Sequence, residues 1–191
     1  MQTNDQKFFQ GSNGKAVLLI HGITSGAAQM VPMAKFLNDY GYSVWCVNLA
    51  GHGTFPQELL HTSCEDFIAK AEYDYKYLRK HFDTVYVGGL STGGCLSLYL
   101  AANYHEISGI IPISVQLRLR KWVFGKISCP AIIIQAKDDA VADPLSASEI
   151  FGRISSDKKE LYTPDNGEHN IVLTEGRHEV FRRTALFLES L

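Results

Sequence analysis

A serine framed by glycines stands in the segment Gly89-Leu90-Ser91-Thr92-Gly93. A hydroxyl is a poor nucleophile at neutral pH, so this serine can do chemistry only if a base takes its proton and a carboxylate orients that base. The G-x-S-x-G spacing serves that chemistry where it joins a strand to a helix, because the sharp turn exposes the hydroxyl above the sheet. An apolar β-type run, Thr84–Gly88 (TVYVG), precedes the pentapeptide, and the helical stretch Thr92–Tyr104 follows it. Gly89 and Gly93 remove side chains that would collide across the turn, and Gly94 lets the helix approach the sheet.

In open α/β sheets, functional side chains come from loops beyond the carboxyl ends of the strands. After the run Ala131–Ala136 (AIIIQA) three carboxylates are available, Asp138, Asp139 and Asp143. Asp143 precedes Pro144 and reads as a helix N-cap, which leaves Asp138 and Asp139 open at this point. After the last strand, Glu160–Thr163, the loop from Pro164 ends in His169, the only histidine before the final helix. The order is therefore serine, acid, histidine. His178 falls inside the final helix as a surface residue, His81 and His105 sit near helix ends, and His61 has no visible chemical partner. Negative charge that develops on an attacked carbonyl oxygen needs backbone N–H donors, each critical one worth about 3–4 kcal/mol. His21-Gly22-Ile23 directly follows the first strand of the core. The expected donors are the N–H groups of Ile23 and Thr92, with Gly22 leaving room for substrate.

The elements that must hold these residues alternate along the chain. Strand-like runs occur at Lys15–Ile20, Ser43–Asn48, Thr84–Gly88, Ile107–Val115 (interrupted by Pro112), Ala131–Ala136 and Glu160–Thr163. Phe8-Phe9 adds an edge strand. Helical patterns fall between them at Ala27–Tyr40, from Cys64 to Phe82, at Thr92–Tyr104, after Asp143-Pro144 and at Arg177–Leu191. Cys64, Ile68, Ala71, Tyr75, Leu78 and Phe82 form one apolar stripe at helical spacing, and Thr62 with Glu65 has the spacing of a capping box. Strands alternating with helices predict a single α/β domain over residues 1–191, a mostly parallel sheet of six to seven strands covered on both faces.

Composition agrees with a globular chain. Of 191 residues, 46% are apolar and 20% charged, and 18 cations against 20 anions leave a net charge of −2. A nearly neutral chain offers no electrostatic case for nucleic acid or an anionic membrane surface. No apolar stretch approaches the roughly 20 residues of a membrane span, and Met1–Gln10 lacks the apolar core of a signal peptide, so the expected compartment is the cytoplasm. The four cysteines form no CxxC pair and are expected to be reduced thiols acting as small apolar residues.

With these residues in view, the chain resembles the α/β-hydrolase superfamily, and within it the bacterial carboxylesterase and monoacylglycerol-lipase-like group. The resemblance rests on VLLIHGITSG (17–26), NLAGHGTFPQELLHTSCEDF (48–67), VYVGGLSTGGCLSLYLA (85–101), IIIQAKDDAVADPLSA (132–147) and the tail from His169. It implies Ser91 as nucleophile, His169 as base and Asp139 as acid, since Ala136-Lys137-Asp138-Asp139 with Val141 and Pro144 fits the family's acid pattern. It also brings Gly51-His52-Gly53 near the pocket, where His52 is expected to be structural. Two departures stand out. Glu168 precedes the histidine where Gly is common, and the helical cap of the relatives shrinks to Gln116–Lys126, a vestigial cap or crossover rich in cations. Leu117, Leu119, Trp122 and Phe124 of that segment are expected either to rim the substrate site or seat a partner subunit, or to form a plain surface crossover; Trp122 is the residue singled out for substrate. The reading is a serine hydrolase acting on small-molecule carboxylic esters of short to medium acyl chain, with no metal or cofactor. A thioesterase or amidase with the same triad, and a non-catalytic binding protein of the same fold, are the alternatives, and a homo-oligomer is left open.

Overall fold

A computed structural model describes residues 6–53, 56–117, 121–165 and 167–191, with the backbone alone for Pro56, Lys121 and Trp122. The strands are β1 (Lys7–Phe9), β2 (Lys15–Ile20), β3 (Ser43–Val47), β4 (Thr84–Leu90), β5 (Gly109–Ile113), β6 (Ala131–Ile134) and β7 (Lys159–Tyr162). They form one sheet in the order β1-β3-β2-β4-β5-β6-β7. Only β1 runs antiparallel, placing Phe8 opposite Trp45. The helices are α1 (Val31–Asp39), α2 (Pro56–Leu59), α3 (Cys64–Arg79), α4 (Thr92–Asn103), α5 (Leu145–Arg153) and α6 (Arg177–Glu189).

Strand periodicity sorts the core into two layers. Ala16, Leu18 and Ile20 of β2 point to the face covered by α3, α4 and α5. Val17 and Leu19 point to the face covered by α1 and α6. Both faces of β2 are thus buried, as a central parallel strand requires. Helix α4 is apolar nearly all round because it is enclosed: Leu96, Leu98, Leu100, Ala101 and Ala102 are all buried.

Local chemistry moved several expected boundaries. The helix expected over Ala27–Tyr40 divides into a 3-10 turn at Ala27–Met30 and α1, since Pro32 has no N–H and belongs in a first turn. The capping box of α3 lies one residue later than Thr62/Glu65. Ser63 Oγ accepts the Asp66 N–H at 3.2 Å while Asp66 accepts the Ser63 N–H at 2.8 Å. Thr62 instead donates its hydroxyl to the Glu58 carbonyl at 2.8 Å. The buried stripe of α3 runs through Phe67, Ala71, Tyr75 and Leu78, and Cys64 is exposed.

Strand β5 is not interrupted at Pro112 but runs through it, with Pro112 opposite Gly89. Ile110 and Ser114 donate their N–H groups to Pro130 and Ile134 on the β6 side, each at 2.8 Å. Pro112 sits between them, where its missing N–H forfeits one rung of the ladder.

The shortened segment after β5 holds a 3-10 turn at Lys121–Lys126. Phe124 is fully buried and Val123 nearly so, both in the core layer of α4. Phe124 therefore supports the sheet and does not rim a site, because an apolar ring gains more from the core than from solvent. Leu119 and the Trp122 side chain lie outside the described residues.

Candidate active site

The turn after β4 is as sharp as its sequence demands. Ser91 holds φ 56° and ψ −113°, in the left-handed range of φ that costs a non-glycine residue on the order of 1–3 kcal/mol. The surroundings enforce it. The Ser91 N–H is tied to the Ile113 carbonyl at 2.8 Å, and α4 begins at the next residue. A Cβ at Gly89 would be driven into the Gly93 backbone, and one at Gly93 into the Ile20 carbonyl. A Cβ at Gly94 would strike Val115 and crowd the Ile113 carbonyl, so this glycine sets how closely α4 approaches β5.

Gly22, Ile23, Ser91 and His169 line one cavity of about 420 Å³. His169 enters it from the loop after β7 and sets its Nδ1 against both carboxylate oxygens of Asp139, at 3.1 and 2.9 Å. Asp139, from the loop after β6, has a wholly buried side chain, whereas Asp138 is exposed. Burial pushes the Asp139 pKa up, but donors outweigh it and the net shift is downward. Those donors are the N–H groups of Ala142 and Val141 at 2.9 Å, His169, and Gln135 Nε2 at 2.8 Å. The carboxylate is thus held ionised beside the imidazole. Asp143 takes the Leu145 N–H at 2.9 Å, apart from the site, and stands one residue ahead of the N-cap of α5, which falls on Pro144 and not on Asp143. Glu168 is exposed.

A second set of bonds fixes the peptide between Gly22 and Ile23. His21 is fully buried. Its Nε2 accepts the Leu49 N–H at 3.1 Å, which places the ring proton on Nδ1, and Nδ1 donates to the Gly22 carbonyl at 2.7 Å. Burial lowers the His21 pKa from its ordinary 6.5 to about 4, with His52 adding to the fall and the Gly22 bond opposing it. The Ser25 N–H also reaches the Gly22 carbonyl, at 3.1 Å. Because this peptide is trans, clamping its C=O directs the Ile23 N–H the opposite way. Thr92 supplies the first N–H of α4, one of the donors that a helix leaves without an internal acceptor. His52 is buried, stacks edge-on to His21 and turns its two ring nitrogens to the Ala50 and Ile23 carbonyls, so it lies against the same loop and can donate to either one of them.

Sequence reasoning named Ser91, His169, Asp139, Gly22, Ile23 and Thr92 but missed the groups behind them. Gln135 carried a visible signal, being the one polar residue in AIIIQA, a strand otherwise wholly apolar. The clamp by His21 carried none. Among the described residues no group of three or more His, Cys, Asp or Glu is placed to hold a metal, and no helix is long and apolar enough to cross a membrane.

A mostly parallel sheet between two helical layers, with a serine on a strained strand-to-helix turn, defines an α/β-hydrolase. Residues 11–124 match the family described as serine aminopeptidase S33 (Hydrolase_4), and the chain belongs to that family. It is 28% identical to the thermostable monoacylglycerol lipase of Bacillus sp. (strain H-257), over 94% of this chain and 92% of that one. That alignment spans 231 positions against 191 residues here, so at least 40 of them (231 less 191) have no residue in this chain. It is 26% identical to the carboxylesterase of Bacillus subtilis (strain 168), over 96% and 95% of the two chains. Among solved structures, one of the metagenome-derived lipolytic enzymes LipS and LipT superposes with a TM-score of 0.93 at 24% identity, covering 98% of both chains. Est1E from Butyrivibrio proteoclasticus with ferulic acid gives 0.86 at 16%, over 97% of this chain and 94% of that one.

Proposed function

We propose that the chain is a serine esterase that cleaves carboxylic esters through an acyl-enzyme, with Ser91 as nucleophile, His169 as base and Asp139 as the acid that orients it. The reading leans most on one observation: the buried Asp139 carboxylate on His169 Nδ1, with His169 and Ser91 lining the same cavity. With Nδ1 occupied, Nε2 takes the Ser91 proton as the oxygen attacks the ester carbonyl. The oxyanion is met by the N–H groups of Ile23 and Thr92. As the tetrahedral intermediate collapses, His169 returns the proton to the leaving alcohol. Water then repeats the sequence on the acyl-enzyme, giving up its proton to His169, and Ser91 is regenerated as the acid departs. Asp139 stabilises the imidazolium in both halves and remains a carboxylate.

The names of the curated relatives, a lipase and a carboxylesterase, favour an ester. The family description names an aminopeptidase, which needs an anion to hold the substrate's ammonium group. Among the described residues that line this cavity there is no carboxylate. A cavity of about 420 Å³ at the smaller end of ligand sites suits short to medium acyl chains. Labelling by a fluorophosphonate probe tests the nucleophile: the parent chain is expected to label and Ser91→Ala to stay dark, and a labelled variant or an unlabelled parent refutes the reading. Acetate, butyrate, octanoate and palmitate esters of one chromogenic alcohol test the chain length, and a peak at palmitate overturns that part.

A further inference from the structure

The 3-10 turn Ala27–Met30 carries a side chain that joins the two halves of the site. Gln29 Oε1 accepts the Gly22 N–H at 2.8 Å, and Gln29 Nε2 donates to Asn170 Oδ1 at 3.0 Å. Chemistry leaves this orientation no freedom. A backbone N–H only donates, so the amide oxygen of Gln29 must face it, its NH2 must face Asn170, and Asn170 must present its oxygen. Gly22 belongs to the peptides next to the Ile23 N–H, and Asn170 directly follows His169. One neutral carboxamide therefore spans from the proposed oxyanion donor to the proposed base, across 141 residues of sequence.

Both ends of the bridge are anchored. Ala27 and Met30 on either side of Gln29 are buried, and the Ala27 N–H is held by Asn48 Oδ1 at 3.3 Å. Asn170 is followed by Ile171 and Val172, both fully buried, and its carbonyl takes the Leu173 N–H at 2.9 Å. His169 stands on a half-exposed loop at the edge of that anchor. We propose that Gln29, through Asn170, is a positioning residue that holds the His169 loop at a set distance from the Gly22–Ile23 peptide. The proposal rests on the triad reading given above. The geometry it protects is demanding, since a displacement of about 1 Å can cost on the order of a hundredfold in rate.

The test is a two-site cycle on Gln29→Met and Asn170→Leu, read as kcat and KM for p-nitrophenyl butyrate and as Tm. Each variant is expected to lower kcat about tenfold with KM within about twofold of the parent and Tm within about 2 °C, and the double variant is expected to lose the same tenfold because both remove one bridge. Asn170→Asp keeps an oxygen for Gln29 Nε2 and is expected to retain kcat within about threefold at pH 8. Multiplicative losses in the double variant, a kcat matching the parent in either single variant, or a raised KM at constant kcat overturns the proposal; the last makes the pair a substrate contact. Should Gln29→Met not fold, Asn170→Leu against Asn170→Asp carries the test from the other end, and equal kcat in those two overturns it. Ser91→Ala in the same panel separates the two levels. If it still hydrolyses ester, the triad reading falls; if it is inactive while the bridge variants match the parent, only the bridge falls.

Discussion

Acid should weaken this fold through one buried ring. His21 is fully buried, and its Nε2 lone pair faces the Leu49 N–H, so a second ring proton would set two donors against each other. The folded chain therefore holds a neutral imidazole down to about pH 4, whereas the unfolded chain binds a proton near its ordinary 6.5. Between those two pH values the unfolded state binds more protons, so stability falls as pH falls and levels off below about 4. A gap from 6.5 to about 4, at roughly 1.4 kcal/mol per pH unit, amounts to about 3 kcal/mol. Urea unfolding at half-unit steps from pH 7.5 to 4 measures it, on the parent and on His21→Gln, whose amide oxygen can accept the Leu49 N–H without titrating. The parent's stability minus the variant's is expected to fall by about 3 kcal/mol as pH drops across that range, because only the parent has this term to lose. Parallel curves across that window would refute the argument, whatever the absolute stabilities.

Asp139→Asn is expected to leave the chain folded but lower kcat by about three to four orders of magnitude, because an amide can present its NH2 to Nδ1 and invert the tautomer; esterase assays beside Tm check this. Two glycine substitutions should part company. Gly93→Ala puts a methyl into the Ile20 carbonyl and should cost about 3 kcal/mol or more in urea unfolding. In Gly22→Ala the new methyl meets nothing nearer than 3.6 Å, from Gln29 Oε1 and Ser91 Cβ, so Tm should hold while ester turnover falls as the methyl crowds the nucleophile.

Most of the architecture was legible because buried parallel strands and amphipathic helices write their periods into the sequence. Boundaries were less so. T-x-x-E and S-x-x-D are offset by one residue ahead of α3, and only the folded bonds, Ser63 with Asp66 and Thr62 back to Glu58, decide which hydroxyl caps. The segment after β5 misled for a different reason. Apolar residues in a basic stretch suit a rim as well as a core, and the burial of Phe124 against the layer of α4 is a tertiary outcome. At the site, Ser91 was legible from local turn chemistry and His169 from its place after the last strand. The choice of Asp139 over Asp138 needed a resemblance, and its geometric counterpart is which of two neighbouring side chains turns inward. Gln29 and Asn170 left no trace, since a hydrogen bond between residues so far apart in the chain has no local pattern.

Strand β7 closes one side of the sheet with four residues only, and its flank is occupied by charge. Arg183 of α6 is locked to Glu160 at 2.6 Å, and the Lys159 ammonium is drawn back to the Ile154 carbonyl at 3.0 Å, over the Phe151 ring. A border so short and so heavily ionic is a poor template for strand addition. Strand addition on that side of the sheet is therefore disfavoured, which also guards concentrated solutions against fibrous stacking through β7.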